Sequence, residues 1–131
     1  MSISDPIADA LTRIKNAQMA GHESVDINTN TTISSILEIL KNEGFIGLVT
    51  SFKEGSKNMV KVELKYYNKE PVIRGINKIS KPGKRIYLQW KDIHPTLNNI
   101  GLSVISTPRG VMSGKDAKYN HVGGEYICRI W

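Results

Sequence analysis

The stretch Met59–Ile73, "MVKVELKYYNKEPVI", decides how the chain is divided. From Met59 to Tyr67 apolar and polar side chains alternate with the two-residue period of a half-buried strand. "YNKEP", Tyr67–Pro71, then substitutes turn formers and a proline, which cannot donate to a strand ladder. The run before it, "FIGLVTSF" at Phe45–Phe52, alternates in the same way, so the two runs read as a hairpin around the loop "KEGSKN". "YNKEP" is therefore a boundary, and the texture differs on its two sides. The sequence predicts an α+β fold of two small domains, 1–67 and 72–131.

Working outward toward the N-terminus, a second helix is predicted from Asn30–Thr32 to Gly44, burying Ile33, Ile36, Leu37 and Leu40. "VDIN", Val25–Asn28, is a short strand. Asp5 followed by Pro6 is a helix start, a capping carboxylate before a proline placed where no donor is lost. Ile7, Ala10, Leu11, Ile14 and Ala17 follow at helical spacing, and Gly21 stops the run. The first domain thus reads helix, strand, helix, strand, strand. Toward the C-terminus, Val72, Ile73, Ile76 and Ile79 suggest an irregular strand, "SKPGK" a turn, and "RIYLQW" another strand. Asp92–Asn99 is expected to be a short helical segment, "LSVIST" a strand, Ser113 the cap of one more helical turn through Tyr119, and "EYICRIW" the last strand. The second domain is strand-rich with one or two short helices.

Charge separates the halves further. The chain carries a formal net charge of +6. Met1–Lys65 holds seven basic and eight acidic side chains, whereas Tyr66–Trp131 holds eleven basic and four acidic. Between Pro71 and Lys91 stand Arg74, Lys78, Lys81, Lys84, Arg85 and Lys91 with no acid among them. Such asymmetry points to a polyanionic partner for the second half. The N-terminus has no charged head followed by an apolar block, and no apolar run approaches the roughly 20 residues of a membrane span, so an intracellular protein without a membrane segment is expected. One cysteine, Cys128, cannot form an internal disulfide, and no C-x-x-C pair suggests zinc; a small core residue is the expected role.

The segment "STPRGVMSGKDAKYNHVGGE", Ser106–Glu125, carries the most chemistry. As a phosphate-binding loop it fails: Gly110 and Gly114 enclose three residues rather than four, and Asp116 follows Lys115 where a Ser or Thr is needed. No G-x-S-x-G elbow exists, and His22, His94 and His121 lie in unrelated segments without ligand spacing. The pattern gives no nucleophile–base pair, no metal set and no cofactor site. It suits a binding surface better. Ser106 and Thr107 can donate and accept at base edges and ribose hydroxyls, and Arg109 offers a planar fork. Gly110, Gly123 and Gly124 permit close backbone approach, and they equally permit turns. Tyr87, inside the cationic "GKRIYLQW", offers a face for an unpaired base.

"DPIADALTRIKNA" at Asp5–Ala17, "LKNEGFI" at Leu40–Ile46, "ISKPGKRIY" at Ile79–Tyr87 and "ISTPRGVMSGKDAKYNHVGGE" at Ile105–Glu125 resemble, in order, the hallmark segments of the bacterial small-subunit ribosomal protein eight family. The resemblance spans the chain. It implies two α+β domains, a non-enzymatic role, and binding of the central domain of small-subunit ribosomal RNA during assembly of the subunit platform. It further implies that Ser106, Thr107, Arg109 and Gly110 approach an irregular RNA helix, with Tyr87, Lys84 and Arg85 beside it. Gly123, Gly124 and Glu125 should support the loop or accept from RNA donors. Lys81, in the acid-free cationic run, is expected at a phosphate on charge alone. Lighter contacts are implied for Arg13, Lys15, Thr31 and Thr32. Where the family reads Ser-Thr-Ser, this chain has Pro108 in place of the second serine, losing a hydroxyl and a backbone donor. Expected protein neighbours, by family precedent, are small-subunit proteins five and twelve, in a bacterial cytoplasm or in an organelle ribosome. Many members also bind their own messenger RNA, so a free translational regulator using the same surface is the alternative reading; no small-molecule substrate is expected.

Overall fold

The computed structural model describes residues 5–94 and 101–131. The chain divides into two compact units, an N-terminal one of Pro6–Arg74 and a C-terminal one of Gly75–Trp131 together with Asp5.

In the N-terminal unit, helix α1 (Pro6–Met19) begins at the proline and buries Ala10, Leu11, Ile14 and Ala17 on one face, with Gln18 beside them. It ends as a Schellman turn: the His22 amide donates to Ala17 O and the Gly21 amide to Gln18 O. Strand β1 (Ser24–Asn28) leads to helix α2 (Thr31–Asn42), whose predicted apolar stripe Ile33, Ile36, Leu37 and Leu40 is buried. The cap is Asn30, its side-chain oxygen accepting from the Ile33 amide at 2.8 Å. Asn30→Ala should therefore cost about 1 kcal/mol in urea unfolding, and Asn30→Asp should restore most of it. Strands β2 (Ile46–Glu54) and β3 (Lys57–Leu64) form the predicted hairpin, with β3 central in a sheet ordered β1-β3-β2. Along β3, Val60, Val62 and Leu64 point into the core while Lys61 and Glu63 are exposed. α1 packs on β1 and α2 on β2. The hairpin loop is shorter than the expected "KEGSKN": Glu54 pairs with Lys57, leaving Gly55 and Ser56 as the turn, with Gly55 at φ 64°. Glycine at positive φ in the first of two turn positions matches the strand twist, so the strands run to the end.

A two-residue-turn hairpin follows, β4 (Tyr66–Tyr67) with β5 (Glu70–Pro71), spanning the turn-rich boundary segment "YNKEP".

The C-terminal unit is built on strand β10 (Gly124–Ile130). On one side it pairs with β8 (Leu102–Thr107), which pairs with β9 (Gly110–Ser113); on the other it pairs with β6 (Ile76–Lys78) and β7 (Tyr87–Leu88). Helix α3 (Gly114–Tyr119) starts as expected, Ser113 Oγ accepting from the Asp116 amide at 3.1 Å. Ile93, Ile105 and Ala117 form a buried cluster, with Leu88, Trp90, Met112, Val122 and Tyr126 packed around it.

The structure corrects two sequence expectations and bears on part of a third. The irregular strand of Val72–Ile79 shrinks to Ile76–Lys78, because only those residues find a partner on β10. "RIYLQW" is a strand only at Tyr87–Leu88; Gln89 then opens a 3-10 turn at Trp90–Asp92, which folds Trp90 back onto the cluster. Of the expected helix at Asp92–Asn99, Ile93 and His94 are not helical, and residues 95–99 lie outside the described residues. Cys128 is fully buried on β10, and burial pushes its thiol up to about 12 although Lys78 acts the other way.

Candidate nucleic-acid interface

The strand registers bring distant residues into one row. Tyr87 lies opposite Glu125, Glu125 opposite Ser106, and Ser106 opposite Val111. Their neighbours Leu88, Tyr126, Ile105 and Met112 belong to the buried cluster. Successive side chains alternate between sheet faces, so the Tyr87–Glu125–Ser106 row occupies the face opposite that cluster. Tyr87 is 67% exposed. An aromatic ring with that much free surface is not a core residue, and its face is open to a planar partner.

Arg85 and Glu125 are coupled. The guanidinium donates to Glu125 Oε2 at 2.9 Å, with the carboxylate mostly covered and the guanidinium half exposed. The hydrogen bond to Glu125, then its charge, raises the Arg85 pKa further above its usual value. The lone acid of the row is thus partnered by a cation, and its other oxygen can still accept a hydrogen bond. Lys81 and Lys84 flank a tight turn through Pro82–Gly83, each amide donating to the other's carbonyl at 3.1 and 2.9 Å. Both lysines are exposed. Beneath them Ser80, fully buried, accepts from the Ile86 amide at 2.8 Å and donates to Ile86 O at 3.2 Å. Ser80 fixes the base of the cationic loop, a role that no local motif announces.

Thr107 behaves differently from Ser106. It is buried, its hydroxyl accepting from the Arg109 amide at 3.1 Å and donating to Gly110 O at 2.8 Å. Both bonds close the Pro108–Arg109 turn between β8 and β9, and the φ of 116° at Gly110 belongs to the same turn. Thr107 therefore holds Arg109 and Pro108 at an exposed tip, and its own hydroxyl is engaged inside the chain. Gly123 and Gly124 are close-packing glycines: a Cβ on Gly123 would strike Leu88 O and Gln89 Cα, and one on Gly124 would strike Ser106 O. They let β10 lie against its neighbours.

Two cations of the acid-free stretch are placed elsewhere. Lys78 donates to Ser80 O and lies 3.5 Å from Asp5, with its side chain largely covered. Arg74 belongs to the N-terminal unit, as do Arg13, Lys15, Thr31 and Thr32. Arg13 is exposed and pairs with Asp9 at 3.2 Å; Lys15 is exposed on the same helix. Thr31 and Thr32 open α2, after the cap. Gathered on the C-terminal unit are Tyr87, Lys81, Lys84, Arg85, Ser106, Thr107, Arg109, Gly110, Gly123, Gly124 and Glu125. That unit has nine basic and four acidic side chains, a net of +5.

A cationic, hydroxyl-bearing face with one free aromatic ring can neutralise phosphate, stack a base and bond to its edge. Comparison with known proteins agrees with that chemistry. Residues 5–131 match the profile of the family described as ribosomal protein S8. The chain is 50% identical over 132 residues to the small ribosomal subunit protein uS8 of Leptospira biflexa, covering all of both chains. It is 46% identical over 129 residues to the protein of the same name from Solibacter usitatus (98% of each). Against that of Clostridium kluyveri the identity is 42% over 132 residues, with both chains fully covered. The chain belongs to the ribosomal protein S8 family.

Proposed function

We propose that the chain is a structural, non-catalytic protein of the small ribosomal subunit, binding small-subunit ribosomal RNA through its C-terminal unit. The relatives' names supply the setting, a bacterial small subunit. The observation that carries the reading is the cross-strand row Tyr87–Glu125–Ser106, flanked by Lys81, Lys84, Arg85 and Arg109 on a unit of net +5. A regular A-form groove hides its bases, so such a row serves an irregular RNA helix with exposed edges. The central domain of the rRNA, the platform, and proteins five and twelve as neighbours follow from the family resemblance. The cytoplasmic ribosome is the corresponding location. A free regulator acting on its own messenger would use the same row and requires no further feature of the chain.

The test is a titration of the protein against a central-domain rRNA fragment and against a regular RNA duplex of equal length, at several salt concentrations. Both affinities should fall as salt rises, with the fragment bound more tightly throughout. Lys81→Ala should lower the slope of log K against log salt by about one. Equal affinity for the two RNAs would overturn the reading and leave only non-specific charge.

A further inference from the structure

The hairpin β4–β5 and the segment leaving it border an open cavity of about 350 Å³, lined by Tyr67, Asn68, Glu70, Pro71, Val72 and Arg74. Its frame is anchored. Tyr66 turns inward and donates to His22 O, and the Val72 amide donates to Lys65 O at 3.0 Å. Tyr67, one residue on, turns outward and is 76% exposed. The turn is strained: Asn68 and Lys69 sit at φ 52° and 67°, both in the left-handed region. Asn tolerates that region and glycine favours it, but lysine is disfavoured there. Strain held at one position points to a side chain that matters at the tip.

We propose that this cavity binds one unpaired nucleotide, recognised as an aromatic base with its phosphate and supplied by structured RNA. The proposal rests on the reading of the protein as RNA-binding. Tyr67 gives the ring on which the base stacks, over an apolar floor of Pro71 and Val72. Asn68 supplies an amide able to pair with a base edge, and Glu70 an acceptor for a ribose hydroxyl or an exocyclic amine. Arg74, exposed in the lining, meets the phosphate, and Lys69, exposed at the turn between the lining residues Asn68 and Glu70, adds a second cation at the rim. The cleft is open on one side, so a nucleotide flipped out of a larger RNA can enter it while its backbone stays outside.

Full-length protein is titrated with its own small-subunit rRNA and, separately, with 5′-AMP, following Tyr67 ring proton shifts in the second case. Tyr67→Ala should weaken rRNA binding roughly five- to a hundredfold, the range of one lost stack. Lys69→Gly should raise Tm by relieving the turn and yet weaken rRNA binding, an opposition that a purely structural role would not produce. Unaltered rRNA affinity in Tyr67→Ala, with Tyr87→Ala impaired, overturns this site and leaves the proposed function standing. If neither variant is impaired, this site fails, and so does the stacking role of Tyr87. Tight, saturable 5′-AMP binding combined with unaltered rRNA affinity assigns the cavity to a free mononucleotide and overturns its assignment to RNA.

Discussion

Gly124→Ala is expected to destabilise the C-terminal unit by about 3 kcal/mol, the upper part of the range for overpacking a tight contact. The added methyl would lie against the Ser106 carbonyl and 3.0 Å from Thr107 Cα. Both obstacles are backbone of β8, so no side-chain rotation can make room. The pairing of β10 with β8 must open at its edge, where Glu125 faces Ser106. RNA binding should fall with stability although no charge and no hydroxyl is removed. Gly83→Ala is the control: its Cβ would meet open space, its φ is not left-handed, and a change within about 0.5 kcal/mol is expected. Urea unfolding decides the matter, and an unchanged midpoint for Gly124→Ala would show that the strands separate at little cost.

Tyr87→Ala should remove about 1–3 kcal/mol of affinity for the irregular rRNA fragment, the worth of one base stacked on an aromatic ring. Its effect on folding should stay near 0.5 kcal/mol, because the ring is 67% exposed and buries little on folding. Tyr87→Phe should keep most of the affinity, since the ring and not the hydroxyl does the stacking. Affinity for a regular duplex, which offers no free base, should not change. Undiminished binding of the fragment by Tyr87→Ala would remove the ring from the interface and leave the cations to explain binding alone.

The helices of the N-terminal unit were legible because their determinants are local. Asn30, the stripe Ile33–Leu40 and Gly44 all act within a few residues of the turn they shape. The β2–β3 hairpin was legible for the same reason, although its turn proved tighter. Strand ends in the C-terminal unit were not legible. "RIYLQW" has strand composition throughout, yet only Tyr87 and Leu88 meet β10, and Trp90 gains more from the cluster around Ile93. β9 went unanticipated because "GVMS" is paired only once Thr107 folds the chain back. In the candidate site, the residue types pointed to RNA, but their roles came from partners far along the chain. Thr107 is a turn clamp, Lys78 an internal partner of Asp5, and Ser80 an anchor with no sequence signature.

By itself the sequence determined the α+β class, the caps and stops of the long helices, the excess of cations in the second half, and the absence of a recognisable catalytic pattern. These depend on composition and on spacing of less than ten residues. Only the tertiary structure decided that Tyr87, Glu125 and Ser106 share one row, that Arg85 partners Glu125, and that Gly123 and Gly124 serve packing. Those facts follow from strand register, which sets Tyr87 and Ser106 on either side of Glu125 although they stand 38 and 19 positions from it, and turns alternate residues to opposite faces.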